Sequence, residues 1–220
     1  MVPATGNSRL VSSSSAGADA SDLTLTIARP ASLQAGDVMI AAVVVRPSNA
    51  TIAAPAGWTL VRRLSNSYGN SSALATYRKL ATASEPASYT WTLNTSTGSA
   101  GGILAFRNVN SSNAASPVDV EAGVNTASSL SHTAPSVTTS AANEVVITVH
   151  SFASGASWAP PSGMAEAVDD SSWSVGGGSA GISFAMNYAV KASAGATGTK
   201  TATASNDPDT GNAQTIALRP

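Results

Sequence analysis

The chain has no cysteine, little charge, few aromatic residues and almost no helical periodicity. The missing cysteine rules out a disulfide framework, a thiolate metal site and a cysteine nucleophile. Charged residues make up 10% of the 220 positions, with a formal net charge of −1. That balance gives no electrostatic basis for binding nucleic acid or an anionic membrane surface. Only two histidines are present, His132 and His150, which narrows the scope for general acid–base chemistry. No apolar run reaches the length of a membrane span, so no membrane insertion is expected. Met1–Gly6 shows neither a basic n-region nor an apolar h-region. Either export by that route is not expected, or the leader has been removed.

What is present reads as β structure. Apolar residues reach 43%, and the polar remainder is rich in Ser, Thr and Asn, with 18 Gly and 11 Pro. The mixture suits short strands joined by turns and argues against disorder. Residues 23–27 alternate as LTLTI. Residues 38–45, VMIAAVVV, form a continuous apolar run that fits a strand covered on both faces. About a dozen such segments, separated by Gly, Pro, Asn and Ser clusters, predict an all-β antiparallel sandwich or jelly-roll-like fold.

The segments recur in order. Residues 51–58 (TIAAPAGW) match 157–164 (SWAPPSGM), 38–43 match 145–150, 74–77 match 185–188, and 103–107 match 215–219. Ala28-Arg29-Pro30 aligns with Ala134-Pro135. The offset drifts only as loop insertions would cause. Two pseudo-repeated β-sandwich units are therefore expected, residues 1–113 and 114–220, packed closely or merged into one composite sandwich. The matches make Trp58, Met164 and Trp158 core positions. They place a turn of relaxed backbone geometry at Gly57 and Gly163.

Candidate functional residues are those the repeat does not absorb. Arg62-Arg63 falls near Asp169-Asp170, so a basic pair in one unit corresponds to an acidic pair in the other. The pairs are either solvated strand edges or complementary patches that meet within the chain or between subunits. Tyr68 and Trp173 occupy corresponding loops, where an aromatic ring on a Gly/Ser/Asn loop can contact a sugar or a protein. Asp207 and Asp209, two apart before a Gly turn, could begin a Ca²⁺ loop, but the run lacks the distal bidentate acid of such loops and a plain polar turn is the favoured reading. The run GGGSAG at 176–181 formally fits both the nucleophile-elbow pattern around Ser179 and a dinucleotide fingerprint. A strand rather than a helix follows it, so it reads as a hairpin loop. His150 is expected in a core strand and His132 on a strand surface.

The segments LQAGDVMI (33–40), PAGWT (55–59), ATYRK (75–79), ASEPASYTW (83–91) and GGILA (101–105) resemble a family of duplicated β-sandwich modules. PSGM (161–164) and the ending IALRP (216–220) extend the likeness across nearly the whole chain. Members occur in bacterial surface proteins and phage virion proteins, and the family carries no motif of known activity. The resemblance implies a non-enzymatic role in display, decoration or adhesion, with other protein subunits, a homo-oligomer or virion lattice, or surface glycans as partners. A head-decoration or tail protein of a virion is the first expectation. An extracellular adhesin or carbohydrate-binding module is the second. A hydrolase, which would need Ser179 or His150, is the third.

Overall fold

The computed structural model describes residues 7–68, 71–110, 116–172, 181–205 and 208–220. The first half runs β1 (Arg9–Ala18), β2 (Thr24–Ala28), β3 (Val38–Arg46), β4 (Ile52–Ala53), β5 (Thr59–Asn66), β6 (Ser72–Leu80), β7 (Ser88–Leu93) and β8 (Gly98–Arg107). The second runs β9 (Val118–Ser129), β10 (Ser131–Ala134), β11 (Thr138–Thr139), β12 (Glu144–Phe152), β13 (Trp158–Ala159), β14 (Ala165–Ser171), β15 (Ser183–Lys191), β16 (Gly195–Ala196), β17 (Lys200–Ala204) and β18 (Asp209–Leu218).

The strands build two five-stranded antiparallel sheets, ordered β1-β8-β3-β6-β5 and β9-β18-β12-β15-β14. Each carries a three-stranded sheet on its outer face, β2-β7-β4 and β10-β17-β13 respectively. Both halves therefore share one strand order, with β11-β16 an extra ribbon in the second. The two large sheets stack face to face, β5 over β9 and β1 over β14.

This four-layer stack explains the unbroken apolar runs. In β3, Val38, Ile40, Ala42 and Val44 enter a central core shared with Val145, Ile147 and Val149 of β12. Met39, Ala41 and Val43 point the other way, into the outer core with Trp58, Tyr77, Tyr89 and Trp91. A strand buried on both faces gives up the alternation of a half-exposed one. β2, covered on one face only, keeps it: Leu25 and Ile27 are buried and Thr24 and Thr26 exposed.

Glycines set the layer spacing at two central points. A Cβ on Gly102 would press on Val168 and Phe184 of the opposite sheet, and one on Gly101 would meet Leu25 and the Ala42 carbonyl. By strand register, Gln214 is the counterpart of Gly102 and Thr76 the counterpart of Met186. One side of the central interface is thus apolar, with Gly102 against Phe184. The other is polar: Thr76 Oγ1 donates to Gln214 Oε1 at 2.9 Å, Gln214 donates to Glu121 at 3.0 Å, and Arg62 holds Glu121. The proline-glycine turns before β5 and β14 match as expected. Gly57 and Gly163 have φ of 85° and 76°, and Trp58 and Met164 donate their N–H groups to Pro55 and Pro161.

Two expectations need correction, both by one residue of register. His132 is not a surface residue: it is buried against Phe152 and Trp158. Pairing with β17 makes it the counterpart of core Leu25 rather than of exposed Thr26. Likewise Tyr188 corresponds to Arg78, not Tyr77. Tyr77 packs on Trp91 in the outer core, whereas Tyr188 packs on Phe106 in the central one. A slip of one residue exchanges the two faces of a strand.

A buried carboxyl near the start of β12 differs from its counterpart. Asp37 forms an ion pair with Arg107 at 2.8 Å. Glu144 instead lies beside the Asp119 carboxylate. Burial raises its pKa above the usual value, opposed by the Ala141 N–H bond and reinforced by the Asp119 carboxylate. A raised acid favours the protonated fold, so stability is lost as pH rises through that value. Glu144→Gln, which keeps the acceptor for the Ala141 N–H, is expected to increase the urea midpoint at alkaline pH and change it little in acid.

Candidate functional site

The strand directions bring Tyr68, Asp169, Asp170 and Asp209 to one end of the stack. The ends of β3, β5, β12 and β14 and the starts of β6, β8, β15 and β18 all meet there. Tertiary bonds lock the loops of the two halves together. Arg46, buried at the end of β3, donates from Nη1 to the carbonyls of Ala153 (2.8 Å) and Gly181 (3.1 Å). Burial lowers its pKa, and the nearby charge of Asp209 opposes that shift. Asn66 donates to the carbonyls of Thr126 and Gly211. Thr210 Oγ1 donates to the Tyr68 carbonyl at 3.1 Å. The described loop ends of the two halves thus lie on one face. Residues 8, 108, 117 and 219 lie at the opposite end, where Ser8 donates to the Asn108 carbonyl and the Arg219 N–H to the Pro117 carbonyl.

On this face Tyr68 is 79% exposed, the most open of the large apolar side chains among the described residues. Beyond the same end of the second half is a wide-mouthed cleft of about 550 Å³. Gly155, Ser157, Asp169, Asp170, Ser171 and Ser205 line it. Asp169 accepts the Trp158 N–H at 2.8 Å, which fixes its carboxylate at the rim of β13. Burial leads the effects that raise its pKa, reinforced by the charges of Glu166 and Asp170 and opposed by the Trp158 hydrogen bond. Asp170 accepts the N–H of Ser171.

In the first half an arginine lies at the corresponding place. Register makes Arg63 the counterpart of Asp169. Its guanidinium donates to the carbonyls of Ser48 (2.9 Å) and Ala50 (2.6 Å) and lies over the β3–β4 loop. The second half has a short acid there instead, and Asp169 lines the cleft.

The basic and acidic pairs do not meet within the chain. Arg62 makes a two-point contact with Glu121 of β9, at 2.6 and 2.8 Å, and Arg63 is spent on loop carbonyls. β5 and β14 are edge strands on opposite sides of the stack. Glu121 was not singled out from the sequence because nothing in its own segment signals the facing strand. Trp173, Ser179 and Asp207 lie outside the described residues. Asp209 is buried, and its Oδ1 accepts the Thr210 N–H. Among the described residues no three His, Asp or Glu side chains are grouped to hold a metal ion.

The two histidines belong to the second outer core. His150 Nε2 lies 3.1 Å from the Lys200 carbonyl, and its Nδ1 has no partner. His132 contacts Thr126 Oγ1 and the Ser129 carbonyl. Both rings pack on Trp158. Comparison of the chain with family models, with curated proteins and with solved structures returns no match in any of the three. What the fold and this face define is a four-layer β protein with a loop-built end that joins both halves.

Proposed function

We propose that the chain is a non-enzymatic structural protein, a head-decoration or tail component of a virion, that works through protein–protein contacts at its loop end. The supporting observation is the joined face. Loops from both halves are fixed to one another by Arg46, Asn66 and Thr210, while residues 8 and 219 lie at the far end. Groups fixed in this way bind with little further loss of conformational entropy, which suits repeated contacts in an assembly. The sequence resemblance points the same way. Sedimentation velocity over a rising concentration series is the test. Mass is expected to grow with concentration, and Tyr68→Ser combined with Asp170→Lys is expected to hold the protein at monomer mass. A monomer at every concentration, or growth unaffected by the double variant, would overturn the proposal.

The cleft supports a second reading, an adhesin or carbohydrate-binding module. Asp169, Asp170 and the hydroxyls of Ser157, Ser171 and Ser205 offer acceptors and donors of the kind that sugar hydroxyls match. Glycan-array binding that disappears in Asp170→Ala would favour it over the first.

A further inference from the structure

The two halves build the same slot at the end away from the loops, and only the first half fills it. In the first half Trp58 packs edge-on against Tyr89, with ring centroids 5.2 Å apart. Tyr89 donates its hydroxyl to Glu85 at 2.8 Å, and Lys79 closes the ion pair to Glu85 at 3.4 Å. Lys79 lies directly over Gly57, where an added Cβ would strike its ammonium group. The slot thus holds aromatic rings, a carboxylate and a cation, all from the chain itself.

Register identifies the counterparts in the second half. Met164 follows the same turn as Trp58, Lys200 replaces Tyr89, and Ala189 replaces Lys79. Each ring is gone. Nothing lies within 4 Å of a Cβ built on Gly163, whereas its counterpart Gly57 is covered. A cleft of about 210 Å³ results, floored by Val146, Met164 and Ala189 and flanked by Lys191 and Lys200. Among the described residues neither lysine forms a salt bridge. The nearest acid across the strand, Glu144, is turned toward Asp119 and the Ala141 N–H. Two residues along the same face of β15, Asn187 is buried with neither amide atom hydrogen-bonded.

We infer that this cleft is a binding site for a small aromatic carboxylate. The first half shows what the slot accommodates: a ring on the apolar floor and a carboxylate beside a lysine. The second half keeps an apolar floor, lacks the ring and the acid, and in place of Lys79 sets two lysines beside the floor at other positions, Lys191 and Lys200. The cleft is smaller than the roughly 300–1,000 Å³ of drug-sized sites, so it takes a single ring. An ammonium at the rim favours the carboxylate over a neutral or cationic analogue. The inference does not depend on the virion reading.

The methionine methyl groups provide the test, because Met164 lies in the cleft while Met39 and Met186 lie in the first outer core and the central core. With ¹³C-methyl methionine, phenylacetate is expected to shift the Met164 signal saturably, with a Kd in the low-millimolar range. Met39 and Met186 are expected to stay in place. Benzylamine and acetate are expected to have no effect. Lys200→Gln is expected to weaken phenylacetate about fivefold. Met164→Trp, which restores the first-half filling, is expected to abolish the heat of binding in calorimetry without lowering Tm. A Met164 signal that does not move, or that moves equally for benzylamine, overturns the site. So does unchanged binding in Lys200→Gln.

Discussion

Acidification from about pH 7.5 to about pH 4 is expected to remove about 3 kcal/mol of stability through His150, and His150→Val is expected to abolish that part of the pH dependence. His150 is fully buried, one ring nitrogen is unpartnered, and its pKa is pushed down to about 4, chiefly by desolvation. The unfolded chain binds the proton more readily than the fold does. Stability is therefore complete above the ordinary value of 6.5 and declines as pH falls toward about 4. His132 is shifted in the same direction by burial, although its bond to the Ser129 carbonyl and the charge of Asp209 oppose the shift. The groups facing the pair are the Asp209 charge, the Thr126 hydroxyl, the Ser129 and Lys200 carbonyls and the aromatic rings of Phe152 and Trp158. Valine is the residue the first half uses at the equivalent point, Val43, so the variant is expected to fold. Carboxylates that titrate over the same range affect wild type and variant alike, so the difference between their urea midpoints isolates the histidine. Equal pH profiles would show that His150 is not buried in the neutral form.

Arg46→Ala is expected to cost about 3–5 kcal/mol, far more than the loss of a surface arginine. Arg46 is 6% exposed, and its guanidinium crosses from the first half to two carbonyls of the second. Its removal leaves those carbonyls in a dry environment and Asp209 without the nearby positive charge. Arg46→Lys is expected to recover little, because one compact ammonium cannot reproduce the planar fork. The free energy of urea unfolding measures both. A loss below about 1 kcal/mol would mean that water replaces the arginine and that the loop ends are not fixed through it.

Much of the fold was legible in the residues. The run at 38–45 called for a strand covered on both faces, and the repeated Pro-x-Gly turns located β5 and β14. What covered the second face of β3 was not legible, since apolar character does not distinguish a partner sheet of the same half from one of the other half. The sites were less legible because they depend on face. An offset of one residue hid the burial of His132 and misplaced Tyr188, and the sequence carries no marker for such a slip. The pairing of Trp58 with Met164 was readable, but the vacant slot was not. Its emptiness also depends on Lys200 facing the place of Tyr89, a match that a lysine and a tyrosine do not announce. Arg62 found its acid on β9 rather than β14, because that choice rests on how two sheets stack.

A contact face assembled from both halves requires the halves to open as one body. Native-state hydrogen exchange of the β3 and β12 core amides tests this most directly. The two strands share the central core through Val38, Ile40, Val145 and Ile147, so their amides are expected to exchange only through a common global opening. Phe184→Ala is expected to lower both opening energies by the same amount. β12 amides that exchange through a separate, cheaper opening while β3 stays protected would contradict the shared core and the joined loop face built on it.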